Sequence, residues 1–146
     1  MNPDVEKKKI FLIGNEADMR IFLLNLLGTG DFEPVIVESG TAGLKRITEE
    51  KPALIILNIL QYRDRNMLLY RDLKHDETLK KIPVIMLSDV DQKTFYHCQK
   101  FTSRPSGQAI HGPEAYLVKP PEADELLQLV HALTQTGNVN ATGETL

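Results

Sequence analysis

Short uninterrupted apolar runs alternate along the chain with segments in which apolar residues recur at helical spacing. Short runs rich in isoleucine, leucine and valine are typical of strands that are buried on both faces of a sheet. The runs are Ile10–Ile13, Val35–Val37, Leu54–Leu57, Pro83–Leu87 and Ala115–Val118. We therefore predict a buried strand at each of these places.

Each predicted strand is followed by a segment with the spacing of an amphipathic helix. In the last of them, Leu126, Val130 and Leu133 lie on one apolar stripe. Thr41 is the expected cap of the second helix, and Glu122 places an acid at the start of the fifth. The predicted helices are Ala17–Leu27, Thr41–Glu50, Met67–Lys74, Asp91–Phe101 and Glu122–Leu133.

Strands that alternate with helices predict a parallel sheet with helices on both faces, because each crossover helix packs on one face. The predicted fold is a doubly wound α/β sandwich, flavodoxin-like, with five parallel strands in the order 2-1-3-4-5. Residues 1–135 are expected to form this one domain. Two segments break the alternation and are predicted to be irregular: a loop at Thr102–Pro113 and a flexible C-terminal tail at residues 136–146.

The composition is that of an ordinary globular domain. The 146 residues carry a net charge of −3, whereas a nucleic-acid-binding domain normally shows a basic patch or a high pI. No apolar run reaches the roughly 18 residues of a membrane span, and the polar start of the chain is unlike a signal peptide. The single cysteine, Cys98, fits a reducing compartment. We expect a cytoplasmic protein that binds neither nucleic acid nor membranes.

Polar side chains collect at the carboxyl ends of the predicted strands, where ligands bind in open α/β sheets. They are Asn15 and Glu16 after the first strand, Asn58 after the third, Ser88 and Asp89 after the fourth, and Lys119 after the fifth. Because parallel strands end at the same edge of a sheet, we expect these side chains to line one crevice.

The same segments resemble a response-regulator receiver domain. The resemblance extends from residue 8 to about residue 134 and depends on four stretches in the family's order, Ile10–Arg20, Pro52–Asn58, Ile82–Ser88 and Tyr116–Pro120. It implies that Asn58 occupies the position of the phosphoaccepting aspartate. It also implies that Ser88 is the family's hydroxyl residue, Tyr116 its switch aromatic, and Lys119 its pocket lysine, followed by the usual proline, Pro120.

The expected acidic pocket departs from the family's pattern. In the family, two adjacent acids after the first strand hold a Mg²⁺ ion, and here these positions are Gly14 and Asn15. Mg²⁺ usually needs one or two carboxylates, and the amide of Asn58 is a very weak nucleophile. Asp89 adds negative charge where the family prefers a small residue. We therefore expect neither a magnesium cofactor nor aspartyl phosphorylation.

Without an acceptor aspartate, Lys119 needs another partner. A buried unpaired charge is costly, so we predict an ion pair between the Lys119 ammonium and either Glu16 or Asp89, which would hold the pocket in one state. For Tyr116 two interpretations stay open, a rotating switch residue and simple core filling.

The resemblance implies signalling by contact between proteins. We predict a stand-alone pseudo-receiver of a two-component pathway that is not an enzyme and acts without phosphorylation. In the family, partners and dimer mates dock on the fourth helix, fifth strand and fifth helix, here residues 91–135. The expected partner is therefore a histidine kinase, a downstream target or a second copy of the chain. Two other functions remain open: a working Mg²⁺-dependent phosphoacceptor, and a flavin or nucleotide binder on the same fold.

Overall fold

A computed structural model describes the chain at residues 7–14, 16–59, 65–99 and 111–135. Strands and helices alternate in these ranges as predicted. The strands are β1 (Lys8–Ile13), β2 (Phe32–Val37), β3 (Leu54–Ile59), β4 (Val84–Ser88) and β5 (Ala115–Val118). The helices are α1 (Ala17–Leu27), α2 (Gly40–Glu50), α3 (Arg65–His75), α4 (Gln92–Gln99) and α5 (Ala123–Thr134), and a 3₁₀ turn at Leu79–Lys81 precedes β4.

The strands form one parallel sheet in the order β2-β1-β3-β4-β5, which confirms the predicted fold and strand order. β1 and β3 are neighbours in register, and Ile13 pairs with Leu57. The residues that follow, Gly14 and Asn58, therefore lie side by side at the carboxyl edge of the sheet. On its other side β3 pairs with β4, where Asn58 is opposite Leu87.

Alternate side chains of the strands enter two apolar layers, one on each face of the sheet. In β1, Phe11 and Ile13 pack with α2, α3 and α4, whereas Ile10 and Leu12 pack with α1 and α5. All four side chains are almost completely buried. Burial on both faces explains why the central strands have continuous apolar runs instead of an alternating pattern.

β2 is longer than its apolar run predicted. It begins at Phe32 and includes Glu33 and Pro34, which interrupt the run. β2 is an edge strand that pairs only with β1, so the missing N–H of Pro34 can face away from the sheet. An edge strand also keeps partly open side chains, and Val35 and Ile36 are only half-buried.

Two boundaries differ from the prediction in ways that affect the site. Thr41 lies inside α2, which begins at Gly40, and the residue at the N-cap is Ser39. The predicted Thr41 cap is therefore wrong. β3 continues through Asn58 to Ile59, because Ile59 is fully buried and pairs with Ser88 of β4.

Parts of the predicted irregular segments lie outside the described residues. These are residues 102–110 of the Thr102–Pro113 loop, and the whole of the 136–146 tail. Within the described ranges, the helices lack the combination of length and apolarity that a bilayer crossing requires.

Candidate functional site at the carboxyl edge of the sheet

An ion pair joins the two ends of the crevice. The Nζ of Lys119, just after β5, donates to Oε1 of Glu16, just before α1, at 2.9 Å. The ion pair predicted for Lys119 is thus confirmed, with Glu16 as its partner, while Asp89 is an exposed residue of the β4–α4 turn. The connections after β1 and after β5, 103 residues apart in sequence, are joined at this point.

The two charges of this pair differ in exposure. The side chain of Lys119 is 5% exposed and that of Glu16 is 41% exposed. The ammonium therefore needs compensation from the protein, whereas the carboxylate remains partly hydrated. Hydrogen bonds from Lys119 and, to a smaller extent, from Asn58 hold the pKa of the Glu16 carboxyl below its usual value, so the charged form is favoured.

Asn58 lies beside this pair at the acceptor position that the resemblance assigned to it. Its side chain is buried, and its Nδ2 donates to the same Glu16 oxygen at 3.1 Å. Its Oδ1 is buried and has no hydrogen-bond partner among the described residues. The amide thus acts toward Glu16 as a donor, a role that an ionised aspartate at this position could not fill.

Gly14 has a backbone conformation that suits only glycine. Its φ is +151°, and a Cβ at this position would lie 2.6 Å from Cβ of Asn58. A side chain of any kind is therefore excluded unless the ends of β1 and β3 move apart. The carbonyl oxygen of Gly14 accepts a hydrogen bond from Nε of Arg20 at 3.0 Å. Asn15, the second acidic-pocket position, lies outside the described residues.

Asn66 is a site residue that the sequence did not indicate. It lies in the first turn of α3, is buried, and donates from Nδ2 to the backbone oxygen of Asn58 at 2.9 Å. Its Oδ1 accepts from Oγ of Ser39 at 2.5 Å. Asn66 therefore ties the end of β3 to the start of α2. No motif or periodicity marks it, because both contacts are tertiary.

The β4–α4 turn is built around Ser88. The buried Oγ of Ser88 accepts from the N–H of Val90 at 3.1 Å, and its backbone oxygen accepts from the N–H of Lys119 at 2.8 Å. Tyr116 is buried, and its hydroxyl donates to the Val90 oxygen at 2.6 Å. Tyr116 thus fills the core with a bonded hydroxyl, and a rotating role stays a prediction. Pro120 follows Lys119 through a cis peptide bond.

Comparison with known proteins identifies the fold. No family model matches the sequence, and no curated protein matches it. Solved structures do match. The signal receiver domain of a signal transduction histidine kinase from Syntrophus aciditrophicus is 20% identical, with a TM-score of 0.71 over 88% of this chain and 91% of that one. The chain has the receiver fold.

Two further structures extend this similarity. A response regulator receiver modulated diguanylate cyclase from Pelobacter carbinolicus is 25% identical, with a TM-score of 0.68 over 92% of this chain and 97% of that one. The receiver domain of a sensor histidine kinase from Pseudomonas aeruginosa is 15% identical, with a TM-score of 0.66 over 88% of this chain and 98% of that one. That domain holds a magnesium ion in its active-site cleft.

Among the described residues, those at the corresponding place in this fold form a poor donor set for magnesium. Gly14 has no side chain, and a Cβ there would collide with Asn58. Asn58 offers one neutral amide oxygen. The carboxylate beside it, Glu16, already binds the ammonium of Lys119, which would also repel a cation. Since Mg²⁺ usually requires one or two carboxylates free to coordinate it, these residues suit an internal ion pair better than a metal.

Proposed function

We propose that this chain is a receiver-fold signalling module that acts through protein contacts, without phosphorylation, without magnesium and without enzymatic activity. The observation that carries the proposal is the Asn58 side chain. The resemblance assigns Asn58 to the acceptor position, where it donates a hydrogen bond to Glu16, and an amide offers no oxygen nucleophile comparable to a carboxylate. The relatives that share the fold support a role in two-component signalling, as their names describe signal receivers and response regulators.

The proposal is tested with acetyl phosphate and Mg²⁺, followed by intact mass measurement of the full chain. We expect no change in mass, because neither the acceptor carboxylate nor the metal donors are in place. A receiver domain with an acceptor aspartate, treated in parallel, shows that the reagent is active. A gain of one phosphoryl group on this chain would contradict the proposal and support a working phosphoacceptor.

The surface proposed for partners belongs to the segment 91–135, of which the structure describes residues 91–99 and 111–135. Val118 of the edge strand β5 is 46% exposed there and offers an apolar contact. In the same strand, the ring of Tyr116 packs against Phe95 and Tyr96 of α4, with ring centres 5.4 and 5.7 Å apart. These contacts join β5 and α4 into one surface, which suits a histidine kinase or a downstream target as partner.

Val118→Lys is expected to weaken binding to a partner kinase about tenfold or more, because a charge would enter the apolar part of the interface. The measurement is binding by the full chain to each member of a panel of purified histidine kinases from the source organism. Leu68→Lys is the matched control, since Leu68 on α3 is 66% exposed and belongs to an element outside the segment 91–135. Equal effects of the two substitutions would contradict the proposed surface.

A further inference from the structure

A single carboxylate oxygen accepts hydrogen bonds from two donors, one in β3 and one just after β5. Oε1 of Glu16 accepts from Lys119 Nζ at 2.9 Å and from Asn58 Nδ2 at 3.1 Å. The Lys119 ammonium and the Asn58 amide are therefore both hydrogen-bonded to the same oxygen. The negative charge that compensates Lys119 comes from the β1–α1 connection, and position 58, which faces the same space, is neutral.

Lys119 is in turn bonded to the β4–α4 turn. Its backbone N–H donates to the backbone oxygen of Ser88 at 2.8 Å, and the hydroxyl of Tyr116 donates to the backbone oxygen of Val90 at 2.6 Å. Both ends of the turn are thus hydrogen-bonded, Ser88 to Lys119 and Val90 to Tyr116 of β5. Tyr116 also packs on α4. A displacement of Lys119 would therefore shift the turn and change the surface that α4 and β5 share.

We infer that Glu16 is a positioning residue, whose carboxylate acts through Lys119 to hold the β4–α4 turn and the adjoining surface of α4 and β5 in one arrangement. This inference rests on the proposed function, and it says what fixes the conformation of the surface that the partner binds. A carboxylate at position 16 is retained whatever phosphate donors are present, so the surface that partners meet is set by the sequence and not by a phosphorylation cycle.

The geometry also implies that the charge could be supplied from position 58. An aspartate there would place an oxygen next to the oxygen that Lys119 binds now. With Glu16 present, the two carboxylates would repel each other across one ammonium. With Glu16→Gln, the new aspartate would be the remaining carboxylate beside Lys119. The double variant E16Q/N58D therefore exchanges the amide and the carboxylate between the two positions.

The test is amide hydrogen exchange of the full chain, compared for Val90 and Lys119 and for amides elsewhere in the sheet. In Glu16→Gln we expect exchange at Val90 and Lys119 to become faster by on the order of tenfold, because the buried ammonium loses its anion and the turn loosens. In E16Q/N58D the rates should return to within about threefold of the unmodified chain. Glu33→Gln on the exposed side of β2 removes the same charge and should change neither amide.

Three results would overturn the inference: unchanged exchange at Val90 and Lys119 in E16Q, equal acceleration throughout the sheet, or no recovery in E16Q/N58D. If E16Q does not fold, the variant E16Q/K119M removes the buried charge as well. It should fold and still show fast exchange at Val90, and slow exchange there would also overturn the inference. The mass measurement with acetyl phosphate is independent of these rates, so failure of the proposed function is recognised separately.

Discussion

Replacing Gly14 with aspartate is expected to destabilise the protein by about 3 kcal/mol or more, although the resemblance to receiver domains implies an acid at this position. The backbone of Gly14 has a φ of +151°, which side-chain-bearing residues rarely adopt. In addition, the new Cβ would lie 2.6 Å from Cβ of Asn58, an atom of the tightly packed strand β3. Strain and overpacking therefore act together. Urea unfolding followed by circular dichroism gives the change in the free energy of unfolding.

Two variants separate these causes from the added charge. Gly14→Ala carries the same Cβ without a carboxylate, so it should lose most of the stability that Gly14→Asp loses. Gly30→Ala is the control, since a Cβ at Gly30 has no atom within 4 Å, and its effect should stay within about 1 kcal/mol. A stable Gly14→Asp protein that binds Mg²⁺ would show that the ends of β1 and β3 can separate, and that the pocket is only one substitution from a metal site.

Glu16→Gln is expected to lower the free energy of unfolding by about 1–2 kcal/mol at pH 7, because it leaves the Lys119 ammonium without an anion. The value is set below that of a fully buried ion pair, since Glu16 is 41% exposed and water compensates part of the charge. The matched substitution Glu33→Gln, on an exposed residue, should change stability by no more than about 0.5 kcal/mol.

The difference between the unmodified chain and Glu16→Gln should depend on pH in one direction. Because the folded-state pKa of Glu16 lies below its usual 4.5, the contribution of the carboxylate is fully present above that value. It is lost as the pH falls through the folded-state pKa. Unfolding curves should therefore give a constant difference between about pH 7 and pH 6, and a shrinking one below about pH 4.5. A difference that grows on acidification would show that Glu16 is not ionised in the folded protein.

The described residues of the pocket depend on one another. The absent side chain at Gly14 is what allows Asn58 to lie close to β1, and the amide of Asn58 in turn helps to hold Glu16 beside Lys119. Introducing one acid at position 14 leaves the Asn58 amide and the Glu16–Lys119 ion pair unchanged. This explains why we expect Gly14→Asp to disturb the fold and not to repair a function.

Much of the site could be predicted from the sequence because its residues follow strands directly. A parallel sheet brings the carboxyl ends of its strands to one edge, so the runs before Glu16, Asn58 and Lys119 were enough to predict their proximity. That Lys119 needs a partner of opposite charge could also be predicted, because an unpaired buried charge is energetically costly. Whether the partner is Glu16 or Asp89 could not be predicted, because it depends on the direction of the turns after β1 and β4.

The sequence by itself determined the doubly wound sheet, its strand order and the presence of a glycine and an amide, Gly14 and Asn58, at the carboxyl ends of two strands, since apolar periodicity and residue identity are local properties of the chain. Only the tertiary structure decided that Gly14 excludes any side chain, that Asn66 ties β3 to α2, and that Glu16 is the partner of Lys119. Each of these depends on distances between segments far apart in the sequence. Such distances are set by the packing of all the elements together, and no short stretch of the chain encodes them.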